Sequence, residues 1–326
     1  MRWRKFLMYS EQKMSNIYQN TSENIAKAAE IIKNGGLVAF PTETVYGLGA
    51  NVYNNKAVAN IFAAKQRPHF DPLISHIAEI DFLKEYAATD ERVFALAKHF
   101  WPGPLTFVLR RIEENPSIDL ACSGLRTLTV RMPRHPIALS LIKASGVPIV
   151  APSANKYQSI SPTTAQHVAD GLGDKVDMIL DGGACSVGVE STIIDLTTDK
   201  VVLLRAGGTA KEDIEEFLNE KVLISAGNPE LPTAPGQLLR HYAPKHTLRI
   251  NAEKPEADEF YIGFGKLDGD LNLSPSGSLT EAAENLFAYM RLADAQDKFT
   301  KIAMAPIPKN GLGLAINDRI KRASYK

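Results

Sequence analysis

The stretch from Gly36 to Ile77 constrains the fold more than any other part of the sequence. It begins with an apolar run typical of a buried strand, which breaks at Pro41 into a polar turn containing glycine. Residues 55–64 have the periodicity of an amphipathic helix, and this helix must end before the basic series at residues 65–68, because that series closes with proline. The next apolar strand carries His76. Strand, polar turn, helix and cationic corner together predict an anion-binding site at strand ends.

A second polar cluster occupies residues 151–155 and follows an apolar run at residues 147–150. Ser153 and Asn155 in this cluster could satisfy backbone groups of a turn, or they could present a hydroxyl and an amide to a nucleotide. Because the two clusters are far apart in sequence and both follow strands, we expect folding to bring them into one site.

Strand and helix signals alternate along most of the chain, so the expected class is α/β. Their spacing is too irregular for a repeat protein or a symmetric barrel, which favours a mixed twisted sheet with packed helices. Ser161 and Pro162 form a typical helix start, with serine as the cap and proline at the first helical position.

A change in composition divides the chain into two units. Residues 225–235 are rich in proline, glycine and small polar side chains, as linkers are. After them, strand and helix signals resume in a small second α/β unit. We therefore predict an N-terminal tail at 1–21, a catalytic domain at 22–222, a linker at 223–246 and a C-terminal domain at 247–326.

Composition excludes several classes of protein. The 37 basic and 37 acidic residues balance, which argues against a large RNA-coating surface but allows a local cationic cleft. No apolar run approaches the roughly 20 residues needed to span a bilayer. The two cysteines, Cys122 and Cys185, give no disulfide framework and no zinc pattern, which fits a reducing cytoplasm.

Glycine-rich phosphate motifs are weak or missing. There is no Walker A pattern, which disfavours a P-loop NTPase. Gly311 and Gly313 have the spacing that opens a dinucleotide fingerprint, but they lie too near the C-terminus for the acidic residue expected about 20 positions later. We interpret them as a tight turn.

Six short motifs occur in a specific order. They are Pro-Thr-Glu-Thr-Val-Tyr-Gly-Leu-Gly at 41–49, Lys-x-Arg-Pro at 65–68, Trp-Pro-Gly-Pro at 101–104, Ser-x-Asn at 153–155, Gly-Val-Glu-Ser-Thr at 188–192 and Arg-His-Tyr-Ala-Pro at 240–244. This set resembles the YrdC-like family of threonylcarbamoyl-AMP synthases, and the C-terminal extension resembles its long, two-domain branch. The resemblance covers nearly the whole chain from about residue 24.

The resemblance implies a nucleotidyltransferase. Its expected reaction converts L-threonine, bicarbonate and ATP into threonylcarbamoyl-AMP and pyrophosphate, with Mg²⁺ as the expected metal. The product would serve threonylcarbamoyl-adenosine formation in tRNA through a downstream transferase complex. A weak tRNA contact, a cytoplasmic location and no membrane association are also expected.

The resemblance also assigns site residues. Lys65 and Arg67 are the expected catalytic cations. The expected ATP-binding residues are Arg67, Asp71, Thr127, Ser153, Asn155, Ser161, Arg205 and Tyr242. The expected threonine-binding residues are Thr44, His76, Arg131, Ala151 and Ser191, with Thr42 and Tyr46 lining the pocket between the two groups.

Asp71 departs from the family pattern, because relatives often carry an amide or histidine there. An aspartate beside phosphates would repel them unless it held a metal ion or pointed away. The role of Asp71 is therefore open at this stage.

Each expected role has a structural alternative. Lys65 and Arg67 could merely favour the dipole of the helix that they end, which is worth about 0.3–1 kcal/mol. His76 could be a satisfied core residue and Arg131 a partner for a surface carboxylate. Tyr242 could be a single aromatic docked for packing, whereas the resemblance implies that the linker reaches back over the cleft and touches the nucleotide.

Two other functions remain as alternatives. The same cationic concavity could serve a non-catalytic RNA-binding module, although interleaved aromatic residues are missing from the sequence. A carbamoyl transferase of the hydrogenase-maturation type has a related domain, but such proteins also carry cysteine-rich zinc segments.

We predict that replacing Arg67 with alanine lowers turnover by more than about tenfold, because lost charge stabilisation at a transition state costs several kcal/mol in comparable sites. Steady-state pyrophosphate release measures this effect. Near-normal release by a folded variant would refute the assignment.

Overall fold

The structure is a computed structural model that describes residues 16–68, 71–112, 118–225, 234–236 and 239–325. The strands are β1 (Ile17–Gln19), β2 (Val38–Phe40), β3 (Gly47–Asn51), β4 (Ile74–His76), β5 (Leu105–Arg110), β6 (Thr127–Arg131), β7 (Ile149–Val150), β8 (Met178–Asp181), β9 (Thr192–Asp195), β10 (Val202–Arg205), β11 (Leu223–Ile224), β12 (Thr247–Arg249), β13 (Glu259–Gly263), β14 (Leu271–Asn272) and β15 (Lys301–Met304). The helices are α1 (Ser22–Lys33), α2 (Asn55–Lys65), α3 (Leu83–Tyr86), α4 (Glu91–Phe100), α5 (Pro136–Ser145), α6 (Ala165–Leu172), α7 (Lys211–Leu218), α8 (Leu279–Asp294) and α9 (Leu312–Ala323). Within these ranges, no helix is long and apolar enough to cross a bilayer.

The first eleven strands form one mixed sheet in the order β1-β8-β2-β3-β7-β4-β6-β5-β9-β10-β11. The sheet contains both parallel pairs, such as β4 with β6, and antiparallel pairs, such as β5 with β6. Strand β2 is buried on both faces, because Ala39 packs into one apolar cluster whereas Val38 and Phe40 pack into another. The predicted mixed α/β sheet is therefore confirmed.

The last four strands form a separate parallel sheet in the order β12-β15-β13-β14, and its apolar core includes residues of α8 and α9. That core also takes in Val45 and Val189 from the first unit. At Gly188, an added Cβ would lie 2.3 Å from the carbonyl oxygen of Ala283 in α8, so the loop before β9 meets the C-terminal unit at backbone distance. The two units therefore share buried apolar contacts.

The predicted domain limits remain a prediction. Residues 1–15 of the expected tail lie outside the described part of the chain, and its last residues include β1, which pairs in parallel with β8 at one edge of the large sheet. The expected linker begins with β11, which pairs with β10 at the opposite edge. Residues 226–233, 237 and 238 of that linker also lie outside the described ranges.

The helix predicted to start at Ser161 begins later. Helix α6 starts at Ala165, and the hydroxyl of Thr164 accepts the hydrogen bond that caps it from the backbone of His167, at 3.2 Å. Ser161 instead donates its hydroxyl to Glu190, with an oxygen–oxygen distance of 2.6 Å. The Ser161 hydroxyl therefore bonds to a carboxylate that is distant in sequence and does not cap the helix. The prediction that the helix starts at Ser161 was wrong.

We predict that Leu286→Ala destabilises the protein by about 2–5 kcal/mol, because Leu286 on α8 is fully buried in the core of the C-terminal unit. The matched control is Leu292→Ala on the same helix, where the side chain is 50% exposed and truncation should have little effect. Urea unfolding measures both variants. Equal losses would contradict this assignment of the core.

Candidate active site

A cleft lies where the turn after β2, strands β4 and β6, the loop after β7 and the linker converge. It has about 560 Å³ of empty space, including its open mouth. Its lining residues are Thr42, Thr44, Val45, Gly47, Arg67, Ile74, His76, Arg131, Ala151, Pro152, Ser153, Glu190, Ser191, Arg205, Pro235, Gly236, His241 and Tyr242. The two polar clusters that the sequence placed far apart are therefore joined in one cavity.

Lys65 ties these two clusters together from behind the cleft. It ends α2 and is almost fully buried, and its Nζ donates to the backbone oxygens of Ser153 at 2.5 Å and Asn155 at 2.6 Å. Burial, with the nearby Arg67 charge, lowers the pKa of Lys65 well below its ordinary value. In this conformation Lys65 positions the Ser153 loop rather than lining the cavity.

Arg67 lines the cleft and forms a buried ion pair with Asp71. Arg67 Nη2 lies 2.8 Å from Asp71 Oδ1 and 3.0 Å from the backbone oxygen of Pro72. Burial raises the pKa of Asp71, whereas the Arg67 charge opposes the rise. The residue that departs from the family pattern therefore faces the arginine and orients it.

This ion pair affects the test of Arg67. Removing one partner of a buried pair costs about 3–5 kcal/mol, so Arg67→Ala is destabilising as well as charge-removing. Activity of that variant must be measured beside its stability.

Arg131 is held by three contacts. Its Nη2 lies 2.7 Å from Glu43 Oε1, Nη1 donates to Thr44 Oγ1 at 2.9 Å, and Nε donates to the backbone oxygen of Gly103 at 3.1 Å. Burial would raise the pKa of Glu43, but the Arg131 charge and hydrogen bonds hold it below its ordinary value. Sequence reasoning missed Glu43, although it is the only carboxylate in the motif at 41–49.

His76 lies beside Arg131, because β4 and β6 pair the two residues in register. Its Nδ1 is 3.2 Å from the backbone oxygen of Ile74. Burial, reinforced by the Arg131 charge, lowers the pKa of His76 to about 3. The cleft therefore contains a neutral imidazole at physiological pH.

Arg205 joins the loop before β9 to the linker. Its Nη2 donates to Ser191 Oγ at 3.0 Å, its Nε donates to the Ser191 backbone oxygen at 3.1 Å, and its Nη1 donates to the Pro235 backbone oxygen at 3.3 Å. Burial lowers the pKa of Arg205 to about 10, so the guanidinium remains charged at neutral pH. Ser191 also accepts a hydrogen bond from Thr106 Oγ1 at 2.7 Å, so its hydroxyl is already engaged.

The linker lies against the cleft through His241 and Tyr242. The Tyr242 ring stacks on Phe287 of α8, with centroids 5.3 Å apart and planes 28° apart. Its buried hydroxyl has no hydrogen-bond partner among the described residues. Burial lowers the pKa of His241 to about 3, so this linker imidazole is also neutral.

Most of the predicted site residues line the cleft, others are buried behind it, and Thr127 lies elsewhere. Those lining the cleft are Thr42, Thr44, Arg67, His76, Arg131, Ala151, Ser153, Ser191, Arg205 and Tyr242. Those buried behind it are Lys65, Tyr46, Asp71, Asn155 and Ser161. Thr127 begins β6 opposite Arg110, at the far end of that strand from Arg131, and does not line the cavity. The individual substrate-binding roles stay predictions.

Metal ligation has little support from the protein side chains. In the described ranges, no group of three or more histidine, cysteine, aspartate or glutamate side chains could hold an ion. Among the described residues, Glu190 is the only acidic one that lines the cleft. The chain therefore shows no dedicated metal cage within the part that is described.

The charges of the lining predict an anionic ligand. Within the part of the chain that the structure describes, the three arginines Arg67, Arg131 and Arg205 line the cavity beside one carboxylate. Arginine binds carboxylate and phosphate oxygens through its planar fork of donors. The lining therefore favours a ligand that carries carboxylate or phosphate groups.

Comparison with family models covers both units of the chain. A model described as "Telomere recombination", which groups Sua5, YciO and YrdC proteins, matches residues 30–207. A second model, described as "Threonylcarbamoyl-AMP synthase, C-terminal domain", matches residues 209–324.

Individual relatives match along most of their length. The threonylcarbamoyl-AMP synthase of Pyrococcus abyssi is 42% identical, over 95% of this chain and 96% of that protein. The synthase of Bacillus subtilis is 38% identical, over 92% of each chain. The crystal structure of P. abyssi Sua5 complexed with L-threonine superposes with a TM-score of 0.87 at 40% identity, covering 94% of this chain and 97% of that one.

We predict that stability falls as pH is lowered from about 7 to about 5. The unfolded state binds protons at His76 and His241 near their ordinary pKa of 6.5, whereas the folded state leaves them neutral until about pH 3. Their stabilisation is therefore complete above about pH 6.5 and declines below it, by up to about 1.4 kcal/mol per pH unit for each residue.

Urea unfolding at several pH values measures this slope. His76→Gln should lower the pH dependence of the unfolding free energy by up to about 1.4 kcal/mol per pH unit, the contribution of one histidine. His99→Gln is the matched control, because His99 is exposed and its replacement should leave the slope unchanged. An unchanged slope in His76→Gln would contradict the burial of a neutral imidazole.

Proposed function

The chain belongs to the threonylcarbamoyl-AMP synthase family, and we propose that the cleft lined by Arg67, Arg131 and Arg205 is its active site. The enzyme is a nucleotidyltransferase that makes threonylcarbamoyl-AMP from L-threonine, bicarbonate and ATP, releases pyrophosphate, and supplies the modification of tRNA to threonylcarbamoyl-adenosine. The observation that carries the site assignment is the convergence of three buried arginines on one cavity.

The reaction draws its nucleophile from the substrates. The threonine amine and bicarbonate give a carbamate and water, and a carbamate oxygen then attacks the α-phosphorus of ATP. A phosphorus–oxygen bond forms to the carbamate as the bond to the β-phosphate oxygen breaks, and pyrophosphate leaves. The protein must supply orientation and positive charge where phosphate oxygens gain charge. No covalent bond to Ser153 or Ser191 is required.

We assign threonine to the part of the cleft around Arg131. The guanidinium is oriented by Glu43 and Thr44, so it can meet a substrate carboxylate without reorganising. The neutral His76 lies beside it in the strand register. Ala151 and Ser191 complete the predicted group around the amino acid.

We assign the phosphates of ATP to the part of the cleft around Arg67 and Arg205. Both are almost fully buried cations that line the cavity, and Ser153 and Tyr242 line it with them. Lys65 takes a positioning role, because its ammonium group is engaged by the Ser153 and Asn155 carbonyls. The role of Thr127 as an ATP contact would require a part of the nucleotide to extend beyond this cavity.

Mg²⁺ would enter as part of its complex with ATP. Mg²⁺ in nucleotide sites is commonly held by substrate phosphates and one or two carboxylates rather than by an all-protein cage.

The tRNA-modifying transferase complex downstream, a weak tRNA contact and a cytoplasmic location are also proposals. The two cysteines, Cys122 and Cys185, are free and buried, which supports a reducing compartment. The labile adenylate must reach a transferase that consumes it, since its energy is stored in the mixed carbamate–phosphate bond.

Pyrophosphate release tests the proposed function. The full chain should release pyrophosphate from ATP only when threonine and bicarbonate are both present. Omission of either substrate is the control. Release that is independent of threonine, or RNA binding without any release, would contradict the proposal and favour the RNA-binding alternative.

We predict that threonine is preferred over serine and valine. A site that contacts both the hydroxyl and the methyl group rejects analogues that lack either, and it penalises a missing polar partner more than a missing methyl group. The loss should be about 10–200-fold for serine and larger for valine. Equal kcat/KM for the three amino acids would refute this assignment.

A further inference from the structure

Arg319, on the last helix of the chain, is fully buried against the catalytic unit. Its Nε donates to Glu190 Oε2 at 3.0 Å, and its Nη1 donates to the backbone oxygen of Ala206 at 2.6 Å. Nη1 also lies 3.1 Å from Asp318 Oδ2. Helix α9 therefore inserts a cation into the unit that carries the cleft.

The charge of Arg319 compensates the buried negative charge of Glu190. Glu190 lines the cleft, and its other oxygen accepts a hydrogen bond from Ser161 at 2.6 Å. Burial would raise its pKa, but the charges of Arg319 and Arg205 and the Ser161 hydrogen bond hold it below its ordinary value. An uncompensated negative charge at this position would repel the phosphates of ATP.

The same guanidinium contacts the linker. Its central carbon lies 5.6 Å from the centroid of the Tyr242 ring, within the range of a cation–π interaction. Tyr242 lines the cleft and is held from its other side by Phe287. One side chain of the C-terminal unit thus contacts both a carboxylate and an aromatic ring of the cleft.

We propose that Arg319 is a positioning residue for ATP, which neutralises Glu190 and seats Tyr242. This inference rests on the proposed function and specifies what the C-terminal unit contributes to it. Arg319 does not line the cleft, so it acts through these two residues. Replacing Arg319 should therefore change the KM for ATP and not the KM for threonine. Arg131, to which we assign threonine, has its own carboxylate partner, Glu43.

The first test compares substrate dependence in full-length wild type and Arg319→Gln. The variant should raise the KM for ATP by about tenfold or more, the size expected of one uncompensated charge at roughly 10 Å in a partly buried site. The KM for threonine should change less than about threefold. Equal increases for both substrates would overturn the proposal.

A double variant separates charge from packing. If the lost charge is responsible, adding Glu190→Gln to Arg319→Gln should recover ATP use relative to Arg319→Gln alone, since the carboxylate that repels phosphate is then gone. Glu190→Gln alone completes the cycle. A double variant no better than Arg319→Gln would overturn the charge account.

Arg319→Lys keeps the charge and provides the conservative rescue. It should retain more ATP affinity than the glutamine variant, whereas equal impairment of the two would assign the effect to packing and overturn the proposal. Arg249→Gln is the matched control, because it breaks an ion pair with the buried Glu259 inside the same unit without touching the cleft. Its KM values should match wild type.

Thermal unfolding of every variant accompanies the kinetics, and the double variant supplies a neutral pair if Arg319→Gln does not fold. Wild-type pyrophosphate release that depends on threonine and bicarbonate establishes the proposed function independently. Failure of the Arg319 predictions in the presence of that activity would refute this inference alone.

Discussion

The site depends on the contact between Lys65 and the backbone of the loop after β7. The ammonium group ends α2 and donates to the oxygens of Ser153 and Asn155, which fixes two segments almost ninety residues apart against each other. A buried lysine is costly unless its donors are satisfied, and here backbone carbonyls satisfy two of them. Asn155 Nδ2 in turn donates to the backbone oxygen of Ser159 at 2.8 Å. The Lys65 contact with Asn155 therefore also helps to position the segment that leads to Ser161. Arg67 and Ser153 both line the cavity.

Each arginine of the cleft is held by groups of the protein itself. Arg67 is oriented by Asp71, Arg131 by Glu43, and Arg205 by the Ser191 loop and the linker. Charged donors that are already oriented stabilise developing charge without the cost of reorganisation during the reaction. Asp71 and Glu43 also compensate the charges of Arg67 and Arg131, so the empty cleft buries less uncompensated positive charge. A synthase whose nucleophile comes from its substrate needs such oriented charge more than it needs a reactive side chain.

The local sequence predicted most helices and strands and many of the residues that line the cleft. It did not predict the contacts between residues that are distant in sequence. The strand before Pro41, the helix from Asn55 and the strand that carries His76 were confirmed, because apolar periodicity and proline stops act over a few residues. Strand β3 (Gly47–Asn51), which lies between β2 and β7 in the sheet, was missed because its segment was interpreted as a polar turn. Ser161 shows the limit, since its hydroxyl bonds to Glu190 and leaves capping to Thr164. Glu190 and Arg319 are separated by 129 positions, and a motif analysis has no signal that joins them. Glu43 could have been found, because a lone carboxylate in a buried polar turn requires a cationic partner.

The most direct measurement is a crystal structure of the full chain with threonine and a non-hydrolysable ATP analogue. We expect the threonine carboxylate at Arg131 beside His76, and the phosphates at Arg67 and Arg205 with Tyr242 against the nucleotide. We also expect Lys65 to keep its contacts with the Ser153 and Asn155 carbonyls. Phosphates bound away from both arginines, or threonine bound outside this cleft, would contradict the central claim that one cavity joins the two substrates.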